Sequence, residues 1–282
     1  YLIGPRINAG GRVGKCSHGA DLLLNKDPKY SFKLASELDQ FNKERQLLEK
    51  DLLKKILNET EDKSDEPVLI LSGKNWHEGV IGIVAARLKD KFNKPVILIS
   101  SDGINGKASA RSVVGFDIGS VIIAATQKKI LLKGGGHKMA GGFSIQIKNI
   151  QLFKDFVFKK FRGINKDLKS EKPLLLDSVI APSAVNLEFY NKIALLSPFG
   201  SGNPEPKFII EDLKTINGKI VGEKHIKSVL IGTDGSAIKS IAFNATENDL
   251  GVYLLKKNNK SFNIAGKLSL NEWKGQSNVE FI

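Results

Sequence analysis

Thiols, histidines and long apolar runs are all scarce in this chain. Cys16 is its one cysteine, so no internal disulfide can form, and a reducing, cytoplasmic setting is the expectation. Apolar stretches are of the size of Val121-Ile122-Ile123-Ala124-Ala125, far short of the ~18 residues a membrane-spanning helix needs. No charged-then-apolar leader is visible, so neither a membrane nor a secretory route is expected. The four histidines, His18, His77, His137 and His225, fall in no HExxH, DHH or CxxC arrangement. Carboxylates are thin in the middle of the chain and form no paired set. Cys16 and His18 can hold one edge of a metal site or simply occupy a surface turn. A self-contained hydrolytic or metal site is therefore not expected.

What is present suffices for real cores: 41% of the 282 residues are hydrophobic, a length that fits about two domains. The net charge of +13 is unevenly placed. Residues 1–66 are neutral, residues 67–172 carry 19 basic against 7 acidic side chains, and residues 173–282 carry 12 against 11. A localised positive field draws polyanions. Against that, Lys154, Lys159, Lys160, Lys166, Lys169 and Lys172 fall in one helix-plus-linker stretch that can simply be solvated. Tyr1 at one end and an alternating run into Ile282 at the other suggest a fragment of a longer protein.

From Ser31 to Thr60, the positions Leu34, Leu38, Phe41, Leu48, Leu52 and Ile56 form one stripe of a long helix, with Ser31 as its cap. A charged breaker, Glu61 to Pro67, follows. Strands are then expected at Val68–Leu71, Val96–Ile99, Gly106–Ser112 and Phe143–Ile147. Helices are expected near Val80–Phe92, from Asp117 to Leu132 and over Ile150–Phe161, with Gly134-Gly135-Gly136 stopping the second. Alternating strands and helices indicate an α/β domain. Beyond Pro173 the pattern changes to short strands separated by Gly, Asn and Asp, at Phe208–Ile210, Leu213–Ile216, Lys219–Val221, Ser228–Ile231, Ile238–Phe243, Ser261–Leu268 and Gln276–Ile282. That is the texture of a small barrel or sandwich. The expected division is 1–30, a helix and linker at 31–66, an α/β domain at 67–163, a linker at 164–172 and a β domain at 173–282.

Several segments can bind anions. In Lys133-Gly134-Gly135-Gly136-His137-Lys138-Met139-Ala140-Gly141-Gly142, backbone N–H groups without Cβ atoms can curl around a phosphate that His137 also reaches. The same glycines also fit a helix stop and a tight turn. Ser109-Ala110-Arg111-Ser112 sets a guanidinium beside two hydroxyls at a strand end, or is an edge strand with an exposed arginine. Pro5-Arg6-Ile7-Asn8-Ala9-Gly10-Gly11-Arg12 places two arginines around a turn-forming centre, to clamp a phosphate or to solvate a loop. Trp76 and His77 follow the first strand, where α/β folds place ligand groups. Trp76 can stack on a base or pack between domains. Ser197-Pro198-Phe199-Gly200-Ser201-Gly202-Asn203-Pro204-Glu205-Pro206 reads as a rigid connector.

Taken together, PRINAGGR, WHEGVIGIVAARL, SARS, GGGHKMAGG and PFGSGNPEP, with Asp39, Asn42, Arg45, Gln46 and Glu49 between them, resemble the RecJ family of single-strand-specific 5′→3′ DNA exonucleases in the family's order. The resemblance spans nearly the whole chain. It implies the end of a DHH phosphoesterase domain, a long connecting helix, a DHH-associated α/β domain and an OB-fold barrel. It further implies that Arg6, Ser109, Arg111, Gly135, Gly136 and His137 contact terminal phosphates, with Asn8 and Arg12 near the cleft. The Mn²⁺ or Mg²⁺ of such enzymes would be bound by a domain absent here, with none in this chain. Implied partners are single-stranded DNA and, among proteins, a single-strand-binding protein or a helicase, in repair and recombination. Two other readings stand beside it: a non-catalytic single-strand-binding scaffold, and a relative of nanoRNases or cyclic-dinucleotide phosphodiesterases.

Overall fold

A computed structural model describes residues 2–59, 66–164, 174–200, 202–255, 260–273 and 275–282. Most of the expected breaker (61–65), the linker positions 165–172 with Lys166, Lys169 and Lys172, and Tyr1, Pro173 and Ser201 lie outside them. The chain divides into two compact units, Tyr1–Lys172 and Pro173–Ile282. Among the described residues no helix is long and apolar enough to cross a membrane.

The first unit opens with three helices, α1 (Ile3–Val13), α2 (His18–Leu24) and α3 (Pro28–Glu59). The Pro5–Arg12 stretch, expected as a turn, is the body of α1. Its glycines serve approach rather than turning: a Cβ on Gly10 would stand 3.1 Å from the Leu38 side chain of α3. Pro28 at the first turn starts α3 earlier than Ser31, and the Asp27 carboxylate accepts from the Lys29 N–H at 3.0 Å. Along α3, Leu34, Leu38, Asn42, Glu49 and Ile56 are buried.

A five-stranded mixed sheet follows. It comprises β1 (Leu69–Lys74), β2 (Val96–Ser101), β3 (Asn105–Arg111), β4 (Lys133–His137) and β5 (Ala140–Gln146), in the order β1-β2-β3-β5-β4. Only β1 and β2 pair in parallel. Helix α4 (Glu78–Phe92) crosses between β1 and β2, and α5 (Ile118–Gln127) and α6 (Ile150–Ile164) complete the unit. Strand residues alternate between faces. Ile70, Ile97, Ile99, Ala108, Ala110, Phe143 and Ile145 pack in one cluster with Ile118 and Ile122 of α5 and Phe153 and Val157 of α6. On the other face Leu69, Leu71, Val96 and Leu98 meet Val80, Ile81, Val84 and Leu88 of α4, with Ile56 of α3.

The expected helix stop at Gly134-Gly135-Gly136 is instead strand β4, and α5 ends at Gln127. None of the three glycines has a positive φ. Close packing accounts for Gly134 and Gly136, whereas Gly135 faces open space. A Cβ on Gly134 would lie 2.7 Å from the Ile122 side chain, and one on Gly119 of α5 would lie 2.9 Å from the His137 carbonyl oxygen.

The second unit is the OB-fold barrel. Its strands are β6 (Ser178–Val179), β7 (Phe208–Val221), β8 (His225–Ile231), β9 (Ala237–Ala242), β10 (Phe262–Gly266), β11 (Leu268–Trp273) and β12 (Gln276–Phe281). They run in the order β10-β7-β8-β9-β12-β11, with β6 on β7. Three expected strands are in fact the single strand β7. Its first half pairs with β10 and its second with β8, with Asp212 at φ 54° near the changeover and a register shift between Thr215 and Asn217. The polar residues read as turns therefore mark bends, and such bends let one strand serve two sides of a barrel. Helices α7 (Leu187–Ala194) and α8 (Asp249–Leu255) were not expected. Asn186 caps α7 by accepting from the Phe189 N–H at 2.9 Å. Phe208, Ile210, Leu213, Ile226, Leu230, Ile238, Leu254 and Phe281 form the core.

Candidate nucleic-acid interface

Strand β3 sets the site. Ala108 and Ala110 point into the core, so Lys107, Ser109 and Arg111 lie on the opposite face. There α4 packs over β2 and β3, and among the described residues it does not extend over β5 and β4. The face is available because its β5 and β4 positions are small or polar: Ala140, Gly142 and Ser144 on β5, Lys133, Gly135 and His137 on β4. A hollow of about 530 Å³ opens between α4 and these strands, bounded by Glu78, Lys107, Ser109, Lys133, Gly142 and Ser144 among others.

Arg111 is half-buried and pre-positioned. Its Nη1 donates to the Ala110 carbonyl at 2.8 Å and to Ser109 Oγ at 3.2 Å. It rests against Gly82 of α4, where a Cβ would stand 3.1 Å from Nη2 and 3.0 Å from Ser109 Oγ. Arg12 comes to the same place from α1, donating to the Gly79 carbonyl at 3.2 Å. Burial, and then the charge of Arg12, draws the Arg111 guanidinium below its usual range. Among the described residues no carboxylate pairs with either arginine. Two cations whose charges reach one another, neither paired with a carboxylate among the described residues, can attract an anion beside the Ser109 hydroxyl.

The other expected positions are distributed as follows. His137 is exposed in the same cross-strand row as Arg111, joined through Ala140 of β5. Gly135 pairs with Gly142 on the open face, and Gly136 with Gly141. Arg6 is turned to α3, where its Nε donates to Asp39 at 2.7 Å, and its Nη1 donates to the Leu2 carbonyl at 2.7 Å. Lys43, and then Arg6, holds the Asp39 carboxyl below the usual range. Asn8 is exposed on α1. Trp76 is buried in the core under α4, 7% exposed, and its carbonyl accepts from Ser100 Oγ at 2.5 Å. It therefore presents no free face for stacking. His77 is exposed as the N-cap of α4, its Nδ1 accepting from the Gly79 N–H at 3.2 Å. Sequence reasoning missed Gly82 and Lys107, and named Lys133 only within the glycine-rich segment. For Lys107 the available signal was its alternation with Ser109 and Arg111.

No group of three or more His, Cys, Asp or Glu among the described residues could hold a metal ion. Cys16 is exposed, and His18 lies 3.6 Å from Glu37 and stacks on Phe41. In the barrel, Lys227 pairs with the buried Glu280 at 2.7 Å. Burial pushes the Glu280 carboxyl up, but hydrogen bonds from Lys227 and Asn271 outweigh it and hold it below the usual range. Phe243 stands exposed beside the His225 ring.

Residues 65–163 match the DHHA1 domain family and residues 176–282 the RecJ OB domain family. The chain is similar along its whole length to single-stranded-DNA-specific exonucleases RecJ. It is 31% identical to that of Haemophilus influenzae, covering 50% of it, and 27% identical to that of Bacillus subtilis, covering 36%. It thus spans between about a third and a half of the curated relatives it matches. The crystal structure of RecJ in complex with Mg²⁺ from Thermus thermophilus aligns with a TM-score of 0.81 at 29% identity, over 100% of this chain and 42% of that one. The Mn²⁺ complex from the same organism gives 0.79 at 30%.

Proposed function

We propose that this chain, similar along its whole length to RecJ exonucleases and matching the DHHA1 and RecJ OB domain families, is the strand-holding part of a metal-dependent 5′→3′ exonuclease acting on single-stranded DNA. One observation carries the reading: Arg12 and Arg111 share a site with Ser109 and lack any carboxylate partner among the described residues. A 5′-terminal phosphate supplies the missing charge. Arg111 is already fixed by Ala110 and Ser109, so little reorganisation is needed when the phosphate arrives, and a fixed donor set orients the phosphodiester behind it. His137 lies one strand beyond, at the rim. Arg6, tied to Asp39, positions α1 rather than touching the strand.

The residues described here do not fit a divalent metal, so the Mn²⁺ or Mg²⁺ of the whole enzyme is assigned to a different part of it. This chain contributes positioning. The barrel holds the trailing strand, with exposed Phe243 available to stack on a base. Its near balance of charge makes it the weaker of the two contacts.

The test is Arg111→Gln in the 282-residue chain, titrated with a 5′-phosphorylated and a 5′-hydroxyl oligonucleotide. The phosphorylated strand should bind more weakly by about 1–3 kcal/mol, the loss of a charged hydrogen bond, while the hydroxyl strand changes little. Equal effects on both strands would remove Arg111 from the phosphate seat.

A further inference from the structure

Strands β3 and β4 run in the same direction, each antiparallel to β5 between them. Their register superposes two stretches of sequence, Lys107-Ala108-Ser109-Ala110-Arg111 and Lys133-Gly134-Gly135-Gly136-His137. Lys107 and Lys133 share a row through Ser144, Ser109 and Gly135 through Gly142, and Arg111 and His137 through Ala140. On this face each strand carries Lys, Arg or His at its ends and a small residue in the middle, so a Lys–Ser–Lys row and an Arg–Ala–His row flank a row of Ser, Gly and Gly. The outer rows are four residues apart, about 13 Å at the strand rise.

The middle row is not a packing requirement. A Cβ on Gly135 would meet nothing within 4 Å, and one on Gly142 only the Ala108 carbonyl oxygen at 3.4 Å. Gly134 and Gly141, by contrast, are pressed against Ile122. Space has been kept on the face where no helix uses it. Beyond the lysine row the hollow continues into a second one of about 540 Å³, reaching Asn75, Asp102 and Asn105. Glu78, Lys107, Lys133 and Ser144 border both hollows. At that junction Glu78, in the first turn of α4, holds Lys107 through a 2.8 Å ion pair.

We propose that the Lys107–Ser144–Lys133 row is a second phosphate seat. It receives a backbone phosphate further along the strand while the two intervening nucleosides lie over the glycine row. Glu78 is the resident anion on Lys107, displaced when the strand enters. Both members of that ion pair are more than half exposed, and exposed pairs contribute little stability, so displacement is cheap. The inference rests on the arginine end holding the terminal phosphate, and it adds the direction in which the strand leaves.

The experiment uses the 282-residue chain with two probes, a nucleoside 5′-monophosphate and a 5′-phosphorylated tetranucleotide. Lys107→Gln combined with Lys133→Gln should weaken the tetranucleotide roughly tenfold and leave the monophosphate unchanged. The salt dependence of tetranucleotide binding should become shallower, by about 0.7 in log–log slope for one lost phosphate contact. Glu78→Gln should tighten the tetranucleotide by about two- to threefold, the scale of an exposed ion pair. Unchanged tetranucleotide binding in the double lysine variant, or equal weakening of both probes, overturns the second seat; a loss in Glu78→Gln overturns the role given to that carboxylate. Arg111→Gln must weaken both probes; if it weakens neither, the reading of the arginine end fails instead, a result the lysine variants do not produce.

Discussion

The open face of the first unit and the interior of the barrel treat charge in opposite ways. In the first, Arg12 and Arg111 meet without a counter-ion among the described residues, and the lysines on the same face have one exposed glutamate for company. In the barrel, charge is matched: the buried Glu280 has Lys227 at 2.7 Å and Asn271 at 3.1 Å, and the partly exposed Lys267 has Glu205 at 2.8 Å. Paired charge is a device of architecture; a half-buried cation near another cation costs stability and marks a candidate site for an anion. The segment totals alone, +12 against +1, locate the excess, but the geometry identifies which cations are free to act.

The contrast can be tested most forcefully through the core. Phe153 is fully buried beneath the sheet face opposite Arg111. Phe153→Ala should cost about 3–5 kcal/mol in denaturant unfolding of the first unit, yet leave phosphate affinity intact in the fraction that stays folded. A parallel loss of affinity would mean the open face is not independent of the packed one. Glu280→Ala should cost the barrel roughly 1–3 kcal/mol, the charged hydrogen bonds it forfeits. Because the folded pKa of Glu280 lies below its ordinary 4.5, its contribution is complete above that value and fades as pH falls through the lowered one. Stability curves of the parent and of Glu280→Gln should accordingly converge in acid and separate toward neutrality. Asn186→Ala, which removes the cap of α7, should cost the barrel about 1 kcal/mol by thermal or chemical unfolding. No effect there would show that α7 is held by packing alone.

Much of this was legible in the sequence where one physical rule dominates. Apolar runs marked β1, β2 and α4, and Asp117 was read correctly as a cap, its carboxylate accepting from the Ser120 N–H at 3.0 Å. Family order and both domain types followed from the motifs. Failures occurred where tertiary contact overrides local preference. Three glycines in a row argue against a strand until the approach of Ile122 and Gly119 supplies the reason. Asp212 looked like a turn and is a bend inside β7. Trp76 beside a strand end suggested a stacking platform, but its ring fills the space against Gly73. The resemblance put Arg6 ahead of Arg12; in the structure Arg6 donates to Asp39, while Arg12 donates to the Gly79 carbonyl.

The hydrogen bond from Arg12 to Gly79 has a practical corollary. A recombinant piece trimmed to the 65–163 boundary would retain the whole sheet, its helices and Arg111, yet discard the partner guanidinium carried on the first helix. Such a piece would also lose Ile56 of α3 from the core against α4 and, on the reading proposed above, would meet a terminal phosphate with one guanidinium instead of two.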